Sequence, residues 1–445
     1  MRNCQESKDL AVIRKLNEVS KSEPSYWSYS TRSRSDEAFD FFQYPAMMVP
    51  EMLRDLIQIV TDVDPSIQTI YDPFAGSGSV LTEAMLRGTA FVGQDINPLA
   101  VLLCKVRSGP FRLNALNESA EDLLDAIEGD SDPTTEADFP NIEKWFNKVA
   151  IRELSAIRRA IRCEPNIEFR RFFWVSLAET VRLSSNSRTS TYKMHIRDAA
   201  NLRQRRSLSP KEIFDNTLSE NLMKHSQLAY FLDASGLLKR GIYTKPISTQ
   251  VADVRVDGPS ITCDMLITSP PYGDNQTTVP YGQHSYLPLQ WIDLHDIDRR
   301  IDTRCLSNAY WIDSHSLGGN RKKASAEVES LTAESPSLRN VLSGLRQLPR
   351  DRRNRVAAFS RDLHACINPI LRCLRKHAYM VWVVGNRQVG GLEVPTSGIL
   401  REFLEAQGAV HVDTIERKIP SKRMATKNSI SETMRKEKIL ILRKA

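Results

Sequence analysis

The tetrapeptide Ser269-Pro270-Pro271-Tyr272 closes the apolar run Met265-Leu266-Ile267-Thr268, and its residue types suit one kind of chemistry. An amine attached to a heteroaromatic ring is a poor nucleophile, because its lone pair is delocalised. Attack on an electrophilic methyl group requires rehybridisation toward sp³, and acceptors at both N–H bonds favour that change. Ser269 Oγ and the Pro270 carbonyl are such acceptors. Consecutive prolines lock φ near about −65° and hold them on a rigid turn. Tyr272 offers a flat face on which an unstacked base can lie, a contact worth ~1–3 kcal/mol. The plainer alternative is a strand ended by Pro-Pro with a half-buried Tyr, and the tetrapeptide alone would favour it. Its position relative to a second motif decides otherwise.

That second motif is the glycine turn Asp72-Pro73-Phe74-Ala75-Gly76-Ser77-Gly78. Gly76 and Gly78 lack a Cβ where a backbone could approach a ligand closely. A P-loop would need Gly-Lys-Ser/Thr, but Ser79-Val80 follow; a dinucleotide fingerprint would need a third glycine at position 81, which is Leu. Asp95, seventeen residues beyond Gly78, stands where an acid at a strand end accepts both ribose hydroxyls. A turn without a cation suits S-adenosylmethionine, which carries a sulfonium and an ammonium in place of phosphates. A mere tight turn beside an exposed acid is the competing reading, and short motifs carry that risk.

These residues need a scaffold. Residues 68–72 read as a strand, 80–87 as a helix and 90–95 as a second strand ending in Asp95, the opening of a nucleotide-binding α/β sheet. Strand signals fade from about 112 to 245, where helical periodicity takes over, and a loop is expected at 184–191. The sheet resumes at 248–253 and at 263–268, the strand that delivers Ser269. A helix is expected over 360–376, then strands at 378–384, 409–417 and 438–442. We therefore expect an N-terminal extension (1–40), a catalytic domain (41–110 and 248–445) with an irregular insertion at 276–355, and a helical insertion at 111–247.

The chain's 445 residues, 41% of them hydrophobic, can bury one large α/β core and still carry insertions. No stretch approaches the ~20 apolar residues of a membrane helix, and the N-terminus lacks the apolar core of a signal peptide, so a cytoplasmic protein without membrane partners is expected. Seven scattered cysteines without a C-x-x-C pair argue for reduced thiols, and eight histidines without metal-ligand spacing argue against a metal site. The net charge of +7 permits a polyanionic partner. Basic clusters lie at 182–206 (Arg188, Lys193, Arg197, Arg203, Arg205), at 346–355 (Arg346, Arg350, Arg352, Arg353, Arg355) and at 418–427 (Lys422, Arg423). Any one of them could be an ordinary solvated face.

The two motifs together resemble the DNA amino-methyltransferases of restriction-modification systems, which modify exocyclic N4 of cytosine or N6 of adenine. Asp72, Phe74, Ala75, Gly76, Ser77 and Gly78 resemble that family's cofactor loop, and Ser269-Pro270-Pro271-Tyr272 its (D/N/S)-P-P-(Y/F/W) element. Tyr44-Pro45-Ala46 is similar to the segment at the cofactor's methionine end, Asp95 and Ile96 to the ribose and adenine contacts, and Asp253 to the acid near the adenine amine. The resemblance covers roughly 40–110 and 248–445.

It implies a Rossmann-like, S-adenosylmethionine-dependent methyltransferase fold with a mostly parallel seven-stranded sheet and a large helical insertion. Serine in the first catalytic position occurs mostly in N4-cytosine enzymes, so cytosine is expected, with N6 of adenine as the alternative. No cysteine follows a proline, which excludes the covalent Pro-Cys route to ring carbon 5. Double-stranded DNA is the implied partner, with the target base flipped out of the stack at a cost of a few kcal/mol. A cognate restriction endonuclease is a second implied partner, 111–247 is a candidate target-recognition region, and 276–282 a candidate cover for the flipped base. An RNA amino-methyltransferase and a catalytically silent DNA-binding protein of the same fold are the competing functions.

Overall fold

The computed structural model describes residues 2–23, 25–29, 39–198, 208–322, 324–419 and 435–445. The chain opens with α1 (Arg2–Ser22), which docks on the sheet through Asp9: its carboxylate accepts from Arg443 at 2.9 Å and from the Tyr379 hydroxyl at 2.9 Å. The expected N-terminal extension is thus fastened to the last strand. Helix α2 (Pro50–Val63) buries Met52, Leu53, Leu56, Ile57 and Val60, the i, i+4 stripe of a helix lying on a sheet.

Next come β1 (Thr69–Asp72), α3 (Ser79–Leu86), β2 (Ala90–Asp95) and α4 (Pro98–Arg107). Both strands are within a residue of expectation, because short β-branched and aromatic runs between glycine turns have few alternatives. The helical insertion follows as α5 (Leu113–Gly129), α6 (Ile142–Trp145), α7 (Lys148–Cys163), α8 (Ile167–Ser184) and α9 (Pro210–Ala234). Asn147 caps α7 by accepting from Ala150 N, and Ser209 with Glu212 forms a capping box on α9. The unit shares one hydrophobic core with Leu99 to Leu103 of α4. Its close holds a small hairpin that helical periodicity did not signal, β3 (Leu238–Lys239) and β4 (Ile242–Tyr243).

The sheet resumes with β5 (Ile247–Val251) and β6 (Cys263–Thr268). The insertion at 276–355, expected to be irregular, is largely helical: α10 (Tyr281–Trp291), α11 (Leu294–Ile297), α12 (Trp311–His315), α13 (Ala324–Glu327) and α14 (Pro336–Gly344). Pieces this short, one carrying Pro288 inside it, leave no sustained period to read. The helix expected at 360–376 begins ten residues earlier, as α15 (Arg350–Arg372), because the arginine-rich segment forms its first turns. The chain ends with β7 (Leu374–Val384), the hairpin β8 (Arg387–Val389) and β9 (Leu392–Val394), α16 (Thr396–Ala406), β10 (Val410–Lys418) and β11 (Lys436–Arg443).

The seven-stranded sheet has the order β10-β11-β7-β6-β1-β2-β5. Its neighbours run parallel from β5 through β7; only β11 is reversed, pairing antiparallel with β7 and β10. β1 lies between β2 and β6, so the chain's winding reverses there. The crevice beyond the strands' carboxyl ends at such a point is where open α/β sheets hold ligands. No helix among the described residues is long and apolar enough to cross a membrane.

Candidate active site

Three loops meet at that crevice. After β1 the chain turns through Gly76 and Gly78, at φ +51° and +84°. Only glycine adopts these angles without strain. A Cβ on Gly78 would press on Arg107 and Cys104 of α4, so its absence makes room for the packing of the turn against α4. After β2, Asp95 Oδ2 accepts from Gly76 N at 2.9 Å and Oδ1 from Asn97 N at 2.8 Å, which holds the carboxylate across the turn. Burial raises Asp95 to about 6, against the pull of those N–H donors.

After β6, the Ser-Pro-Pro-Tyr turn begins. Thr268 Oγ1, at the strand's last residue, donates to Asp72 Oδ1 at 2.5 Å, and Phe74 N donates to the same oxygen at 3.0 Å. Asp72 is fully buried and its pKa is raised to about 7, chiefly by burial. It therefore lies beneath the crevice as a tie between strands, and neither Asp72 nor Gly78 lines the walls of the two cavities at the crevice. The other expected residues do.

One cavity is walled by Tyr44, Pro45, Ala46, Phe74, Ala75, Gly76, Ser77, Asp95, Ile96 and Asp253. A wide cleft of about 1460 Å³ adjoins it, walled by Ser269, Pro270, Pro271 and Tyr272. Ser269 and Pro271 belong to both walls. The smaller cavity's one guanidinium, Arg255, is held by Asp253 at 2.6 Å and Asp362 at 3.2 Å, so no unpaired guanidinium or ammonium waits there for phosphates. Two carboxylates and glycine backbone suit a cationic adenosine derivative, the charge type expected from the sequence. Among the described residues, no cluster of His, Cys, Asp and Glu could hold a metal ion.

This geometry meets the comparisons with known proteins. The N6/N4 methyltransferase family profile, described as DNA methylase, matches residues 1–105. The Type II methyltransferase M.MvaI of Kocuria varians is 30% identical over 458 residues, covering 98% of this chain and 97% of that protein. The chain belongs to the DNA amino-methyltransferases of restriction-modification systems. The methyltransferase is an enzyme of DNA methylation, and its α/β sheet is the Rossmann-like fold expected.

Several neighbours in this methyltransferase carried no legible signal. Asn97 donates to the Tyr44 hydroxyl at 3.1 Å and to Ser285 Oγ at 2.8 Å, and Tyr44 stacks on Tyr281 with ring centroids 5.7 Å apart. Buried Asp313 accepts from Gly282 N at 2.8 Å, at the N-terminus of α10, where a carboxylate is favoured. Asp274, two residues past Tyr272, is 1% exposed and pairs with Arg387 at 3.0 Å. Each joins residues far apart in the chain, so no local pattern could reveal it.

The expected covering segment holds its place at the cleft, with Gln276, Thr277, Thr278, Val279 and Tyr281 on the wall. The basic clusters fare unevenly. Arg182 pairs with Glu179, Arg197 folds back on the Ser187 carbonyl at 2.9 Å, and Lys193 faces the cleft. Arg352 and Arg355 also line it, Arg355 paired with Asp351 at 2.7 Å. Arg203, Arg205, Lys422 and Arg423 lie outside the described residues.

Proposed function

We propose that the chain transfers a methyl group from S-adenosylmethionine to exocyclic N4 of cytosine within a short specific sequence of duplex DNA. One observation carries this reading: Ser269 and Pro271 stand on the wall shared by the adenosine-type cavity and the wide cleft. A target amine held there would face the methyl donor directly, at the near-attack separation of about 3 Å that direct transfer requires.

S-adenosylmethionine, when bound, supplies an electrophilic methyl group on a sulfonium. The chain's residues do the rest. Asp95 accepts the ribose hydroxyls, Ile96 packs on the adenine, Asp253 receives the adenine amine, and Tyr44 to Ala46 flank the methionine end. Ser269 Oγ and the Pro270 carbonyl accept the two N–H bonds of the amine, while Tyr272 supports the base. The base must leave the duplex to arrive, and the cleft is wide enough to receive it. Lys193 of the helical insertion and Arg352, both on its wall, are suited to flanking phosphates, with target recognition assigned to 111–247. Serine at the first catalytic position favours cytosine. A cognate restriction endonuclease is the partner this role implies.

Labelled-methyl transfer to duplex DNA, followed by nucleoside analysis, tests the reading. N4-methylcytosine is the expected product; N6-methyladenine would overturn the base assignment alone, and labelling of tRNA in place of DNA would overturn the substrate. Ser269→Ala and Tyr272→Ala should each lower turnover at least about a hundredfold with little change in cofactor affinity.

A further inference from the structure

The Ser-Pro-Pro-Tyr turn does not end its hydrogen bonding with itself. Ser269 Oγ donates to Tyr272 Oη at 3.2 Å, and Tyr272 Oη donates to Glu437 Oε1 at 3.1 Å. Glu437 Oε2 lies 3.3 Å from Arg417 Nη1. Arg417 and Glu437 are direct partners across β10 and β11, and the Arg417 side chain, 3% exposed, also reaches Met52 Sδ of α2. All four residues line the wide cleft.

Direction along this chain is set from the far end. Arginine has donors and no acceptor, and an ionised carboxylate has acceptors and no donor. With Glu437 held by Arg417, the Tyr272 proton must point at Glu437. The lone pairs of Tyr272 Oη then take the Ser269 proton. Ser269 Oγ is left presenting lone pairs to the cleft, the polarity an amine N–H requires. Burial and the neighbouring Glu437 carboxylate hold the Tyr272 pKa well above its ordinary value, so the phenol keeps the proton on which this order depends. Lys436, beside Glu437 on β11, is paired with Glu416 at 2.5 Å.

We propose that Glu437, anchored by Arg417, is a positioning residue that acts through the Tyr272 hydroxyl to make Ser269 Oγ an obligatory acceptor for the target amine. The inference rests on the reading of Ser269 as the group that receives that amine. It also gives the tyrosine hydroxyl a use that a phenylalanine could not fill.

The test is a mutant cycle read by single-turnover methyl transfer to duplex DNA, with melting and cofactor affinity as controls. In Glu437→Gln, Arg417 draws the amide oxygen and leaves the amide NH₂ facing Tyr272. The chain then reverses and points the Ser269 proton at the amine. The rate should fall at least about tenfold, with cofactor affinity within about twofold of wild type. Tyr272→Phe keeps the aromatic face and frees Ser269 to rotate, so it should fall by less. Reversal needs the phenol, so the double variant should return to the Tyr272→Phe rate, faster than Glu437→Gln alone. A Glu437→Gln variant at the wild-type rate, or a double variant no faster than it, overturns the proposal. Should Glu437→Gln fail to fold, Tyr272→Phe at the wild-type rate overturns it instead. Absence of transfer by the wild type would strike the proposed function, not this inference.

Discussion

Thr268 Oγ1 and Asp72 Oδ1, 196 residues apart in the chain, meet at 2.5 Å beneath the site. This contact fastens the turn that carries Gly76 and Gly78 to the turn that carries Ser269. Thr268→Val removes the donor and leaves a buried carboxyl oxygen with one partner fewer, at a cost of about 1–3 kcal/mol. Denaturant unfolding should show that loss, Thr268→Ser should recover most of it, and turnover should fall in the valine variant because both turns loosen.

Asp72 and Asp95 give stability a pH dependence. Burial raises them to about 7 and about 6 in the folded protein, against 3.8 as the ordinary value. The folded state therefore favours their protonated forms. That contribution is complete below about pH 4 and is lost as pH rises through about 6 and 7. Asp72→Asn removes the larger part, and its amide fills the place of Asp72 Oδ2, which has no hydrogen-bond partner. Melting curves should show the variant gaining on wild type from pH 5 to pH 8; a constant difference across that range would refute the assignment.

Asp95→Ala removes the acceptor of both Gly76 N and Asn97 N as well as the proposed ribose contact. Calorimetry should find S-adenosylmethionine affinity lower by about tenfold to a hundredfold, the range for hydrogen bonds to a charged group. Unchanged affinity would remove Asp95 from the cofactor site.

Asn97 caps α4 by accepting from Leu99 N and at the same time holds Tyr44 and Ser285. Asn97→Ala should cost about 1–2 kcal/mol in stability. Its effect on cofactor affinity should exceed that of Ser285→Ala, because Asn97, and not Ser285, hydrogen-bonds the Tyr44 hydroxyl, whose ring lies beside Gly76. Equal effects would place Tyr44 outside the binding wall.

Gly273 marks a packing limit. A Cβ there would overlap the Arg387 guanidinium that reaches Asp274. Gly273→Ala should displace the end of the Arg387 side chain and weaken its pair with Asp274, which keeps the Thr277 hydroxyl as a donor, and so lower the melting temperature together with turnover. Retained stability would show that Arg387 can re-pair by another path.

Much of this protein was written locally. Strands 69–72, 90–95 and 263–268 could be read because short apolar runs bounded by glycine or proline turns allow few other structures, and the motifs sit at their ends. Those motifs, with Asp95, were enough to state the chemistry, since a turn's backbone and its side-chain types are local properties. The helices within 276–355 escaped because each is too short for a period to accumulate. A sequence cannot tell which neighbour the missing Cβ of Gly78 makes room for; the fold places α4 there. The same limit governs Asp72, which looked like a wall residue and is a tie to Thr268. Glu437, Arg417, Asn97 and Asp274 became functional candidates only through tertiary structure. Hydrogen bonds and ion pairs between strands depend on sheet order and register, and those are settled when the whole core packs.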